Sequence, residues 1–110
     1  MNTTDLERRL QDAIDKGVAE SFECVTCDQY IVYVPEMFPD GDHPVVLLKR
    51  RRGKWRLTDD GNTLLRLGEG SIEVSTPVWP EDPDFADNLR SFVSALLLIE
   101  SARSAKGVVA

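Results

Sequence analysis

Six of the chain's thirteen basic residues fall within eight positions, Lys49-Arg50-Arg51-Arg52-Gly53-Lys54-Trp55-Arg56. A run of this kind can hold phosphates or carboxylates, and a tryptophan among the bases can stack on a nucleobase. The remaining residues carry seven bases against nineteen acids, a balance of −12 in a molecule whose net charge is −6. Charge is therefore polarised, and the acidic remainder opposes a polyanion near the basic run. Three further groups could do chemistry. Asp59-Asp60-Gly61 could hold a divalent cation, Cys24-x-x-Cys27 is half of a zinc site, and His43 is the sole imidazole. Adjacent acids on an extended segment point apart, however, so Asp59, Asp60 and Gly61 read as a turn and a helix cap. Four-coordinate zinc lacks ligands here, and thiols three apart on a strand lie about 10 Å apart, beyond the ~7 Å that a bridge allows. Free thiols, no metal and no cofactor are expected. His43 has no nucleophile motif beside it and reads as a solvated loop residue. Asp40-Gly41-Asp42 and Glu81-Asp82-Pro83-Asp84 lack the repeat and final glutamate of a calcium loop.

The elements that must position these residues are legible in outline. Thr4-Asp5-Leu6-Glu7 forms a capping box, and Leu6, Leu10, Ala13 and Ile14 share one face of a helix that Gly17 ends. Phe22 to Val34, rich in β-branched and aromatic residues but interrupted at Asp28-Gln29, predicts two strands or one bent strand. Pro35 to Pro44 predicts a mobile loop. Val45–Lys49 and Lys54–Thr58 predict a hairpin turning at Gly53, with Trp55 and Leu57 alternating toward a core. Asn62 to Leu67 predicts a short helix with Asp59 or Asp60 as N-cap, and Ile72 and Val74 a short edge strand ending before Pro77. Phe85, Leu89, Phe92, Leu96 and Ile99 repeat at helical spacing, giving a helix from about Pro83 to Ala102 capped at Asp82-Pro83-Asp84. Leu98 lies off that seam among serines, either as a singly exposed leucine or as part of a partner or homodimer surface.

With those elements placed, Asp28-Gln29-Tyr30-Ile31-Val32-Tyr33-Val34 followed by Leu57-Thr58-Asp59-Asp60-Gly61-Asn62-Thr63-Leu64 resembles a bacterial and phage family called domain of unknown function 1828. The family pattern is a helix, a strand ending near Thr-Pro, a strand of the type D-x-Y-I-x-I-Y-V and then L-T-D-D-G-x-T-L, and the likeness spans about residues 4–70. Cys27 stands where the family tends to have proline. The resemblance implies a fold and no chemistry; the family's occurrence on phage and mobile elements implies a part in host–element conflict.

The fold class expected is α+β: a small antiparallel sheet of about four strands, with an N-terminal and a C-terminal helix packed on one face and residues 1–110 forming one domain. The start of the chain shows no basic-then-apolar leader, and Phe92 to Ile99 is far short of the ~20 residues that span a bilayer, so a cytoplasmic protein without membrane insertion is expected. With no catalytic constellation, the first-ranked function is a non-enzymatic protein-binding module. Its concrete form is an acidic inhibitor or regulator from a phage or mobile element, acting on a nucleic-acid-handling host protein. The alternative is a nucleic-acid-binding accessory protein using Lys49, Arg50, Arg51, Arg52, Lys54 and Arg56; a metal-dependent hydrolase on Asp59 and Asp60 ranks third.

Overall fold

The computed structural model describes residues 3–70 and 72–109, with side chains for residues 5–70 and 72–102. Its elements in chain order are α1 (Thr3–Asp15), β1 (Ser21–Thr26), β2 (Gln29–Tyr33), β3 (Val46–Arg51), β4 (Lys54–Thr58), α2 (Asn62–Arg66), β5 (Ser75–Val78) and α3 (Phe85–Val109). The strands pair antiparallel in chain order, β1-β2-β3-β4-β5, so the sheet is a five-stranded meander. The expected α+β class and the helices on one face are present, with five strands rather than about four. The extra strand comes from resolving Phe22–Val34 into a hairpin: Thr26 pairs with Gln29 and Cys27-Asp28 make the turn. Cys27 thus lies in a turn rather than in a strand, and both cysteines are exposed.

One face of the sheet carries the core. Tyr30, Val32, Val46, Leu48, Trp55, Leu57 and Val78 alternate inward and pack against Leu6, Leu10 and Ala13 of α1 and Phe85, Leu89, Phe92, Val93 and Leu96 of α3. Period-two and period-3.6 patterns meet here, as strand and helix geometry require. Helix α1 closes at Asp15, and Gly17, with φ of 74°, turns the chain so that the Val18 N–H donates to the Ala13 carbonyl at 2.9 Å. The capping box read on Thr4 falls on a side chain outside those described, and the helix already includes Thr3.

Three expectations need correction. The edge strand is Ser75–Val78 rather than the Ile72–Val74 stretch, and it contains Pro77, opposite Arg56. An edge tolerates proline because its missing donor faces away from the ladder. Helix α3 starts two residues later than expected and continues to Val109. The Pro35–Pro44 loop is tied down rather than loose: the Phe38 N–H donates to the Asp42 carbonyl at 2.7 Å, and the Phe38 side chain is buried. No helix among the described residues is long and apolar enough to cross a membrane.

Candidate functional site

The β3–β4 turn decides where the basic run points. Arg52 and Gly53 both have positive φ, 54° and 75°, the signature of a two-residue type I′ hairpin. This turn pairs Arg51 with Lys54, Arg50 with Trp55, Lys49 with Arg56 and Leu47 with Thr58. Residues paired across strands share a face, and successive residues alternate. Lys49, Arg51, Lys54 and Arg56 therefore share the face away from α1 and α3, as two like-charged pairs set directly opposite one another. Arg50 takes the helix side, with its guanidinium 5.4 Å from the centre of the Trp55 ring. Trp55 itself is buried, as its alternation with Leu57 predicts.

Like charges opposed on a sheet cost stability unless counter-charges lie close. The chain supplies some. Lys49 Nζ is 3.0 Å from Asp60 Oδ1, Arg51 Nη2 is 3.2 Å from Glu73 Oε2, and Arg50 Nη2 is 2.6 Å from Asp28 Oδ1. Arg56 donates to the Ser75 hydroxyl instead, at 3.3 and 3.0 Å. Arg52 and Lys54 have no carboxylate partner among the described residues. The face is thus mixed in sign, with its least compensated charge at the hairpin tip. A cleft of about 400 Å³ opens beside that tip, bordered by Arg50, Lys54, Trp55 and the exposed Trp79.

The Asp59-Asp60-Gly61 turn is built differently. Asp59 is fully buried; its Oδ1 accepts from the Gly61 and Val74 N–H groups at 2.9 and 2.8 Å, and its Oδ2 from the Thr63 N–H at 3.1 Å. The N-cap of α2 is Gly61, with φ of 80°, rather than Asp59 or Asp60. Asp59 nonetheless satisfies an open N–H of that helix, from two residues before the cap, while its Oδ1 ties the approach to β5. Asp60, with φ of 54°, turns its carboxylate outward to Lys49. The two acids therefore serve separate partners. No group of three or more potential metal-ligating side chains occurs among the described residues.

Sequence reading passed over Arg66. Its guanidinium donates to Glu100 Oε2 at 2.8 Å and to Asp40 Oδ2, and lies 4.0 Å from the centre of the Phe38 ring. Asp42 Oδ2 stands 3.6 Å away. Arg66 and Glu100 are 14% and 10% exposed, so this is a largely enclosed ion pair that fastens the Phe38 loop to α2 and α3. An isolated arginine thirty-four residues from its glutamate carries no local signal. His43 Nδ1 lies 3.1 and 2.9 Å from the Val34 and Glu36 carbonyls, which requires the ring proton to sit on Nδ1 as donor. Leu98 is 70% exposed on α3, off the buried seam as expected.

Two tyrosines are perturbed. Burial, with the Glu7 carboxylate nearby, pushes the Tyr30 hydroxyl up to about 12. Tyr33, exposed on the open face, donates to Glu23 Oε2 at 3.2 Å, and that carboxylate raises its pKa as well.

Residues 34–78 match the family described as Domain of unknown function DUF1828. The resemblance read on Leu57–Leu64 holds. The match takes in the Phe38 loop, β3, β4, the Asp59 turn, α2 and β5, so the basic face, Asp59 and Arg66 lie within it, while Glu100 on α3 lies outside. It begins at Val34, the last residue of the Asp28–Val34 motif, and leaves the rest of that motif outside. No curated protein and no solved structure matches the chain.

Proposed function

We propose that the protein is a non-enzymatic binding module whose open, basic sheet face takes a protein partner. The observation that carries this reading is the pair of opposed bases, Lys49 with Arg56 and Arg51 with Lys54, held on a face that the helices leave uncovered. A sheet keeps such repulsion at a cost, which a partner's carboxylates would relieve. The face also carries Asp60 and Glu73 against its own bases. Mixed sign suits a protein surface better than a phosphate backbone, whose affinity grows with every phosphate neutralised. An enzyme reading has little to draw on, since Asp59 is saturated by backbone donors and His43 Nδ1 is engaged by two carbonyls.

The acidic-mimic form of the reading draws no support from the placement of the acids. Asp40 and Asp42 face Arg66, and Asp82 accepts from the Asp84 N–H at the start of α3. The nucleic-acid alternative rests on one specific feature, Lys54, without a carboxylate partner among the described residues, bordering a cleft with the exposed Trp79. Both readings are tested by changing Lys49, Arg51, Lys54 and Arg56 together to Gln. Folding should change little, within about 0.5 kcal/mol per surface site, as denaturant titration would report. Capture of a protein from bacterial lysate should be lost, while wild-type binding to oligonucleotides stays weaker than about 1 μM at physiological salt. Tighter oligonucleotide binding, with a salt slope of roughly 0.9 per contacted phosphate that the variant abolishes, would promote the alternative.

A further inference from the structure

The open face has a second feature at the end opposite the hairpin tip. A cavity of about 330 Å³ lies there at the end of β2 and β3, bordered by Ile31–Val34, by Pro44–Val46 and by Glu20 and His43 at its rim. Ile31 and Val45 are half-buried and Tyr33 is 45% exposed, so the lining is apolar yet reachable. Ile31 is paired with Leu47, and Leu47 with Thr58, which puts the Ile31, Tyr33 and Val45 side of the cavity on the face of the basic block, while Val32 and Val46 of its lining belong to the core face. Between them lies Leu47, buried at the centre of the sheet. A cavity of this size, apolar with polar groups at its rim, is suited to one anchoring side chain.

Distance along β3 links the two features. Lys49 and Arg51 lie four and six residues beyond Val45 on the same face, and each residue of a strand rises about 3.3 Å. The cavity is therefore about 13 Å from the Lys49–Arg56 pair and about 20 Å from the Arg51–Lys54 pair. Parity matters too, because an extended ligand running along the strand presents every second side chain to the sheet.

We infer that the open face is a ruler for one kind of partner: an extended acidic segment of a protein, with an apolar anchor in the Ile31–Val45 cavity and carboxylates four and six residues from it. Charge complementarity selects the acidic end and the apolar lining selects the anchor. The partner's carboxylates meet Arg56 and Lys54 and compete with Asp60 and Glu73 for Lys49 and Arg51. This inference rests on the protein-binding reading above and sharpens it by naming the partner's chemistry.

The test uses fluorescein-labelled synthetic peptides and fluorescence anisotropy at physiological salt. The reference peptide carries one leucine with glutamates four and six residues away, on a Gly/Ser background, made in both chain directions. Its controls are a leucine-to-serine version, a glutamate-to-glutamine version, one with the glutamates one and three residues from the leucine, and a thymidine dodecamer. One direction of the reference peptide should bind at least about tenfold more tightly than every control, the gain expected from burying one leucine side chain. Ile31→Ser should erase the advantage of the leucine while leaving the leucine-free peptide unchanged, with circular dichroism checking the fold. Equal binding of the leucine-free or respaced peptide overturns the ruler and leaves the basic docking face standing. Absence of binding by every peptide overturns the ruler as well. A dodecamer that binds more tightly than any peptide overturns the ruler together with the protein-binding reading.

Discussion

Arg66 and the bases of the β3–β4 hairpin place similar charges in opposite surroundings. The Arg66 guanidinium is 14% exposed, shared between Glu100 and Asp40 and stacked over Phe38, so its hydrogen-bonding capacity is used within the chain. Lys54 and Arg52 face water and have no carboxylate ion-paired to them among the described residues, and the neighbours of Lys54 on its face are further bases. The acids divide in the same way: Asp59 is spent on three backbone donors, whereas Asp60, the next residue, reaches out to Lys49. Charge in a sequence thus tells little about role. What separates a structural group from a group available to a partner is whether its hydrogen-bonding capacity is already satisfied inside the fold.

Removing a satisfied interior group should do most damage. Asp59→Ala strips acceptors from the Gly61, Thr63 and Val74 N–H groups, and a hydrogen bond to a charged group is worth about 1.5–3 kcal/mol. A loss of about 5 kcal/mol or outright unfolding in urea titration is expected. Asp59→Asn keeps Oδ1 as acceptor but turns an NH2 toward Thr63, and should lose about half as much. An Asp59→Ala protein as stable as wild type would erase the distinction between the two acids.

A smaller effect should follow at Arg66. Arg66→Ala leaves the enclosed Glu100 carboxylate without its partner, which costs about 3–5 kcal/mol for a fully buried pair and about 2–3 for this partly open one. Adding Glu100→Gln should recover part of that loss, and a double-mutant cycle measures the coupling. Additive changes would place Arg66 with the surface bases instead.

The smallest effect belongs to Leu98, exposed on the outer side of α3. Leu98→Glu should alter stability by less than about 0.5 kcal/mol while lowering any self-association seen by sedimentation. A destabilised variant would mean that the residue is covered in the folded protein.

Much of the fold was legible in the chain because its signals are local. The stripe Phe85, Leu89, Phe92, Leu96 announces α3 through contacts no more than a turn apart, Gly17 ends α1 through its own φ, and Gly53 marks the hairpin. The inward alternation of Trp55 and Leu57 was equally plain, since side-chain parity along a strand needs no partner. The basic run was visible as a run, but its division was not. Lys49, Arg51, Lys54 and Arg56 form opposed pairs only because a two-residue turn at Arg52-Gly53 sets the register, and a one-residue slip would send each to the other face.

The same holds for each device that the sequence did not reveal. Asp59 reaches Val74 across fifteen residues, Arg66 meets Glu100 across thirty-four, and the edge strand begins at Ser75 only where β4 offers Thr58 to pair with. By itself the sequence determined the helices, the central hairpin and which side chains seek the core, because those preferences are decided by neighbours within a few residues. The tertiary structure alone decided which charges are spent inside and which remain for a partner, because a carboxylate or guanidinium is satisfied by whatever the sheet register and helix packing bring within about 3 Å of it.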